Sequence, residues 1–155
     1  SQEIATRIEE MYRVPTMLSS TAHIRALNKL SAKRIIVVSP YAEEINEKVK
    51  VHYQDAGFDV LNIKGLGLTR NVDFGKLPDD ASYRLAREAF LEAPGADAIV
   101  IECSTWPVVR NIEPLEKDFG KPVVTAVTGD LWAALATLHY KTPIKGYGEL
   151  LEKML

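Results

Sequence analysis

Short apolar runs alternate with amphipathic segments along the chain, and this alternation predicts strands separated by helices. Four runs rich in β-branched residues have the length and composition of buried strands, at residues 34–38, 58–63, 98–102 and 122–127. Helices of about ten or more residues between such strands imply right-handed crossovers and a parallel sheet. We therefore predict a three-layer α/β fold, with a four-stranded parallel sheet flanked by helices.

The segments between these runs carry apolar residues at helical spacing. The helices that this spacing predicts cover residues 4–11, 20–30, 42–56, 78–93, 107–119 and 131–138. Prolines mark boundaries of the predicted helices, and Pro78 and Pro107 are expected in the first turns of their helices. Residues 16–18 are expected to form a further short strand.

Composition and charge narrow the function classes. The 155 residues carry 19 Lys and Arg against 21 Asp and Glu, interspersed along the chain, which leaves no basic footprint for nucleic acid or an anionic membrane. A single cysteine cannot form an internal disulfide, and the start does not resemble a signal peptide, so the cytoplasm is the expected compartment. A first residue other than Met suggests a chain that is processed, trimmed or cut from something longer.

The carboxyl ends of the predicted strands are where a parallel sheet binds ligands. That rule selects four loops, at residues 39–41, 65–71, 103–105 and 128–129. The candidate residues in the first three are Ser39, Tyr41, Gly65, Asn71, Cys103, Ser104 and Thr105. Each loop also has an ordinary explanation: a turn with a packed tyrosine, a plain glycine turn, or a capped helix start.

Cys103, the only cysteine, directly follows the third predicted strand. A lone cysteine beside an apolar strand is often a small core residue. Here, however, Ser104 or Thr105 can cap the helix expected from Pro107. Free backbone N–H groups and the positive end of a helix dipole would then face the sulfur and stabilise its thiolate. From the residues alone, a reactive thiol and a core residue stay equally open.

The sequence gives little support for a metal site, a dinucleotide site or a nucleophile elbow. His23, His52 and His139 lack metal-ligand spacing, and we expect surface or half-buried positions for them and no metal site. The stretch around Gly65 is not a dinucleotide fingerprint, because it lacks the third glycine and follows the second strand. Nucleophile-elbow and phosphate-loop motifs are absent from the sequence.

An ordered set of short motifs gives the chain a resemblance to a known family. It resembles the aspartate/glutamate racemase superfamily, in particular the branch of maleate cis-trans isomerases and arylmalonate decarboxylases. The motifs that carry the resemblance are Ser19-Ser20-Thr21-Ala22, Ser39-Pro40-Tyr41, Gly65-Leu66-Gly67, residues 92–97, Cys103, Pro122-Val123-Val124, Trp132-Ala133 and Gly146-Tyr147-Gly148. Each motif is weak alone, but together they span nearly the whole chain.

The resemblance implies one lobe of a two-lobe, pseudo-symmetric enzyme whose active site lies between the lobes. Each lobe would give one cysteine, and Cys103 matches the second; the first would lie upstream of Ser1. Residues 1–18 would then be a remnant of the first lobe, with a helix and a short strand. Residues 19–130 would form the second α/β lobe, and residues 131–155 a crossover helix and tail that return to the first.

The resemblance also implies the chemistry. Such enzymes act on small carboxylates without a cofactor, and Cys103 matches the general acid/base. Tyr41 matches a tyrosine that hydrogen-bonds a substrate carboxylate, and Asn71 matches an asparagine that orients the other end. Ser39, Gly65, Ser104 and Thr105 complete the expected substrate-binding set. The implied partners are a small carboxylate substrate and the missing lobe, with no nucleic acid and no membrane; a homo-oligomer is left open.

Two departures from the family pattern matter. Glu102 precedes the cysteine where a small residue is common, and residues 104–106 differ from the usual stretch. A carboxylate facing the thiol would disfavour its ionisation, but strand alternation points Glu102 the other way. Trp106 could narrow the pocket or pack behind it.

Several functions remain open at this point. Asn71 favours a maleate isomerase-like activity over an arylmalonate-type decarboxylase, and an amino-acid or hydantoin racemase is a third alternative. The non-enzymatic alternative is an α/β binding module with an incomplete active site, which the absence of a second cysteine supports.

Overall fold

A computed structural model describes residues 2–154 of the chain. Helices and strands alternate through most of it, as the apolar pattern predicts. In chain order the elements are α1 (Gln2–Tyr12), α2 (Ser19–Lys29), β1 (Arg34–Tyr41), α3 (Glu43–Asp55), β2 (Asp59–Leu68), α4 (Asn71–Phe74), α5 (Ala81–Glu92), β3 (Ala98–Ile101), a 3₁₀ turn (Val109–Asn111), α6 (Ile112–Phe119), β4 (Val123–Thr125), α7 (Ala126–Thr137) and α8 (Glu149–Lys153).

The four strands form one parallel sheet in the order β2-β1-β3-β4. Ile36 of β1 lies beside Ile99 of β3, which in turn lies beside Val123 of β4. The predicted four-stranded parallel sheet is therefore confirmed. Because all four strands run the same way, their carboxyl ends meet at one edge, and the chemistry is expected there.

Alternating side chains of the central strands build two cores, one on each face of the sheet. On one face, Ile36, Val38, Ile99 and Ile101 are completely buried against α5 and α6. On the other face, side chains of the same strands pack against α2, α3 and α7, among them Ile35, Val37, Val100 and Val124. Neighbouring residues at a strand end therefore enter different environments.

The second strand is longer than predicted. It continues to Leu68 instead of ending at residue 63, so the stretch around Gly65 is strand and not loop. The cause is β1, which also extends to Tyr41 and offers backbone partners, pairing Ser39 with Gly65 and Tyr41 with Leu68 across a register shift. Only residues 69–70 then separate β2 from Asn71, at the start of α4.

Three helix starts also differ from the prediction. The helix expected from Pro78 begins at Ala81, after a turn in which the Ala81 N–H donates to the Pro78 carbonyl. The last long helix begins at Ala126, because Thr125 and Thr128 form a reciprocal capping box directly after β4. Residues 128–129 therefore lie in a helical first turn, not in a loop.

The helix expected from Pro107 begins only at Ile112, after a turn and the 3₁₀ segment. Trp106 and Val108, on either side of the proline, both bury their side chains in the core, and this requires an irregular backbone path. Residues 16–18 form no strand in the described part of the chain. The Thr16 N–H donates to the Glu9 side chain instead of to a neighbouring strand.

Large apolar side chains are exposed on several helices, including Ile45 of α3 and Leu91 of α5. At α1 and α7 they are Ile4, Met11 and Tyr12 on α1, Leu131 on α7 and Leu138 directly after it. The opposite side of α7 packs on the sheet through Trp132 and Ala133, which are buried. Among residues 2–154, no helix has the length and apolar character to cross a membrane.

Candidate active site

Cys103 lies just beyond β3 in an unusual backbone conformation. Its φ angle is +88°, in the left-handed region that non-glycine residues rarely adopt. Such a conformation costs an L-residue about 1–2 kcal/mol and tends to occur where function requires it. The preceding N–H, that of Glu102, donates to the Val38 carbonyl at 2.9 Å and fixes this end of the strand. Cys103 is 6 % exposed and packs in the core that contains Ile101 and Trp106.

Thr105 links the thiol to Asn71. The Cys103 Sγ lies 3.2 Å from Thr105 Oγ1, and that hydroxyl donates to Asn71 Oδ1 at 2.8 Å. A hydroxyl has only one proton to donate, so the thiol is the donor in its contact with Thr105. Thr105 and Asn71 are both exposed, which leaves the Asn71 amide group free to turn toward a ligand.

Tyr41 approaches the same sulfur from the end of β1. Burial raises the pKa of its hydroxyl above the ordinary value, and the charge and hydrogen bond of Cys103 add to the rise. The ring is half-buried and packs edge-on against Phe74, with ring centroids 5.6 Å apart. Tyr41 is therefore a neutral donor beside the thiol over the whole physiological pH range.

The structure corrects the expectation for Ser39. This residue is completely buried and donates from Oγ to Asn46 Oδ1 at 2.6 Å, while accepting from the Tyr41 N–H at 3.0 Å. Both interactions lie inside the protein, so Ser39 supports the backbone of Tyr41 and has no access to a substrate. Sequence reasoning missed Asn46, the centre of this support.

Gly65 contributes to the same support through its lack of a side chain. A Cβ at this position would lie 2.1 Å from Asn46 Nδ2 and 2.4 Å from the Tyr41 carbonyl oxygen. Asn46 uses that space to donate from Nδ2 to the Tyr41 carbonyl at 3.3 Å. The predicted substrate-binding role of Gly65 remains a prediction, whereas its role in seating Asn46 follows from the geometry.

The helix expected directly after Cys103 is absent from that position. Ser104 and Thr105 form an exposed turn and do not cap α6, which begins at Ile112. Stabilisation of a thiolate by the N-terminus of that helix is therefore a wrong expectation. Thr105 and Tyr41 are the polar groups near the sulfur. Trp106 is 2 % exposed and packs behind the site, with its Nε1 unpartnered among the described residues.

Glu102 belongs to a polar network on the opposite face of the sheet. Its carboxylate accepts a hydrogen bond from the Tyr53 hydroxyl of α3, and its Oε1 lies 3.4 Å from His23 Nδ1 of α2. His23 Nε2 lies 3.5 Å from Asp130 Oδ1 of α7, and Asp130 accepts from the Ser19 hydroxyl at 2.8 Å. Strand alternation thus directs Glu102 away from the thiol, as the sequence predicts.

The titration of this network indicates an ion pair. Burial alone would lower the pKa of His23, but its hydrogen bond to Glu102 and the charges of Glu102 and Asp130 outweigh burial and raise it. Burial alone would raise the pKa of Glu102, but His23 and the Tyr53 hydroxyl lower it. Both shifts favour a protonated histidine beside an ionised glutamate.

His23 corrects the expectation of a surface or half-buried position, because only 4 % of it is exposed. The available signal was its place on the same helical face as Ala22, Ala26 and Leu27, which are buried. Of the other histidines, His52 is half-buried and His139 is exposed. Within residues 2–154, no group of three or more His, Cys, Asp or Glu side chains could hold a metal ion.

Comparison with known proteins extends this description. A sequence model of a family described as arylmalonate decarboxylase matches residues 1–151. A maleate isomerase from Nocardia farcinica is 30% identical over 136 residues, which cover 87% of this chain and 53% of that protein. The chain therefore spans about half the length of this relative.

Two solved structures share the fold. The maleate isomerase from Pseudomonas putida S16 superimposes with a TM-score of 0.92 at 26% identity, covering 97% of this chain and 62% of that one. A mutant of the Nocardia farcinica maleate cis-trans isomerase with a covalently bound succinylcysteine intermediate gives 0.87 at 28% identity, covering 98% and 64%. The lobe described here is thus one part of a larger architecture in these proteins.

Proposed function

Because the chain belongs to the arylmalonate decarboxylase family, we propose that it supplies one wall of the active site of a cofactor-independent isomerase. The substrate would be a small cis dicarboxylic acid such as maleate, converted to its trans isomer. The observation that carries the proposal is the cluster at the sheet edge. There the Cys103 thiol lies between the Tyr41 hydroxyl and the Thr105–Asn71 pair.

The proposed reaction uses two thiols. A second cysteine, on a lobe outside the 155 residues described, adds as a thiolate to one carbon of the double bond, and the electron pair moves onto the other carbon and its carboxylate. Cys103 donates its thiol proton to that carbon, and the resulting single bond rotates. The Cys103 thiolate then takes the proton back, and the first thiolate leaves as the double bond re-forms.

The polar groups around Cys103 can stabilise the negative charge that develops on the substrate during the proposed reaction. Tyr41 remains protonated and can donate to a substrate carboxylate as it becomes enediolate-like. Asn71 can donate from its amide to the other carboxylate, while Thr105 keeps the Asn71 side chain beside the thiol. Ser104, exposed in the same turn, is a further candidate contact.

The companion lobe is part of the proposal. Its supports are the relatives' greater length and the exposed apolar side chains on α1 and α7. A groove of about 840 Å³ between the segment before α2 and the exposed side of α7 adds to this surface. The predicted domain boundaries after residues 18 and 130 remain a prediction. A mechanism with free thiols also favours a reducing compartment such as the cytoplasm.

The test is turnover of maleate by the full-length protein, followed by NMR as fumarate appears. Replacing Cys103 by Ala removes the proton donor and should lower kcat by about 10²- to 10⁴-fold, the usual contribution of general acid–base catalysis. Circular dichroism should show an unchanged fold. A Cys103→Ala variant that keeps its turnover within about tenfold of wild type would remove the thiol from the mechanism.

Decarboxylation of an arylmalonate is the second candidate, favoured by the description of the matching family. It needs the same proton donor but releases carbon dioxide, and the carbanion left behind is protonated by Cys103. Offering maleate, phenylmalonate, an amino acid and a hydantoin in parallel separates isomerase, decarboxylase and racemase. Binding without turnover of any of them would favour the non-enzymatic module.

A further inference from the structure

Glu102 places a buried negative charge on the residue that immediately precedes the active-site thiol. Its side chain is 14% exposed, and the carboxylate lies on the opposite face of the sheet from Cys103. Glu102 and Cys103 are neighbours in the chain, and a nearby carboxylate disfavours formation of a second negative charge. A cysteine that must release and recover a proton needs this charge to be compensated.

The compensation is built from three helices. His23 of α2 and Tyr53 of α3 both contact the Glu102 carboxylate, and Asp130 of α7 lies on the far side of the histidine ring. His52 of α3 and Tyr41 of β1 are the other titratable groups whose charges act on this network. His23 is the one basic side chain in direct contact with Glu102 among the described residues.

Gly129 of α7 shows how closely the histidine ring is enclosed. A Cβ at this position would lie 2.8 Å from His23 Cδ2 and 3.5 Å from Val124 Cγ1. The ring is therefore held between α7 and the carboxylate with no room for another rotamer on that side. The close packing keeps the ring beside the Glu102 carboxylate.

We propose that the Tyr53–Glu102–His23–Asp130 network is a positioning device for Cys103, in which a protonated His23 neutralises Glu102 and holds its carboxylate away from the thiol. The inference rests on the proposed function, since it gives the proton-transferring cysteine its electrostatic setting. His23 and Glu102 act through Cys103 and do not touch the substrate.

The test is the rate at which iodoacetamide alkylates Cys103 in the full-length protein, resolved by peptide mass spectrometry. At pH 7, His23→Gln should slow alkylation by up to about tenfold, because Glu102 loses its counter-ion. Glu102→Gln and the double variant His23→Gln/Glu102→Gln should react at least as fast as wild type, because the carboxylate is gone. The exposed His139 provides the matched control, and His139→Gln should react as wild type does.

These variants separate charge from structure. If the network were only a structural anchor, Glu102→Gln and the double variant would slow alkylation as much as His23→Gln, and that result would overturn the proposal. The difference between wild type and His23→Gln should also disappear as the pH rises through the raised pKa of His23, where the wild-type histidine loses its proton.

A direct measurement on the unaltered protein covers the case in which His23→Gln does not fold. Nitrogen NMR of the imidazole should show that the pKa of His23 lies above the ordinary histidine value of about 6.5, and a ring that titrates at or below that value would overturn the proposal. Neither measurement needs a substrate. Failure to isomerise maleate would therefore contradict the proposed function alone. An enzyme with the expected activity but a His23 pKa that is not raised would contradict only this inference.

Discussion

Glu102 and Cys103 are adjacent residues that enter two different environments at the end of β3. Glu102 enters a closed side, where Tyr53, His23 and the helices behind them surround its carboxylate. Cys103 is itself only 6 % exposed, but it enters an open side, where the residues of its hydrogen-bond chain, Thr105 and Asn71, are exposed. One residue step along the strand thus separates a carboxylate surrounded by helices from a buried thiol whose hydrogen-bond chain leads to the surface.

The polar groups that stabilise the fold are therefore separate from those that can bind a ligand. On the closed side Tyr53 and His23 both contact the Glu102 carboxylate, so removing a partner of that charge should cost folding free energy. On the open side the Tyr41 hydroxyl and the Asn71 amide retain capacity for a ligand, so removing them should cost activity instead. The two tyrosines that face these environments give a matched pair of variants.

Tyr53→Phe should destabilise the fold by removing a hydrogen bond on the closed side. The variant leaves the buried Glu102 carboxylate without one donor, and a hydrogen bond to a charged group contributes about 1.5–3 kcal/mol. Urea denaturation of the full-length protein should show a loss of that size in the free energy of unfolding. An unchanged midpoint would mean that the Tyr53–Glu102 contact contributes nothing.

Tyr41→Phe should show the opposite pattern. Its hydroxyl faces Cys103 and the proposed carboxylate site, so kcat/KM for the substrate should fall by about tenfold, or roughly 1.4 kcal/mol of transition-state stabilisation. The free energy of unfolding should change little, because the ring and its edge contact with Phe74 remain. A variant that loses stability but keeps kcat/KM would place Tyr41 on the structural side.

The sequence predicted the open side better than the closed one. Cys103, Tyr41 and Asn71 each follow or end a strand, and the carboxyl-end rule for parallel sheets brings them together without further information. The buried runs, such as Ile35 to Val38, are self-evident from composition. Local pattern and topology were sufficient for these features.

What the sequence could not predict depends on contacts between distant segments. His23 and Glu102 meet only because α2 packs beside the end of β3, and a single charged residue is expected at the surface until its partner is known. The late start of α6 has a similar cause, since the burial of Trp106 and Val108 overrides the helix that Pro107 indicates.

A glycine substitution at position 103 tests whether the positive φ angle of Cys103 costs stability. With φ at +88°, Cys103→Gly should be about 1 kcal/mol more stable than Cys103→Ala, because only glycine adopts this region without a steric penalty. Both variants lack the thiol and should be equally inactive. Equal stabilities by thermal denaturation would mean that the backbone relaxes out of this conformation once the sulfur is removed.

The smallest effect concerns the pH dependence of the closed side. Replacing both partners of a buried ion pair is often nearly neutral, so His23→Gln/Glu102→Gln should unfold with a free energy close to that of wild type at pH 6. The raised pKa of His23 contributes stability that is complete below its unfolded value of about 6.5 and is lost as pH rises through the folded value. The lowered pKa of Glu102 contributes stability that is present above about 4.5 and is lost as pH falls through the folded value.

Wild type should therefore lose stability relative to the double variant at both ends of that range, as pH rises through the folded pKa of His23 and as pH falls through the folded pKa of Glu102. Denaturation of the two proteins at a series of pH values measures the difference directly. A difference that stays flat from acid to alkaline pH would show that His23 and Glu102 do not titrate as a pair. The closed side would then be neutral packing.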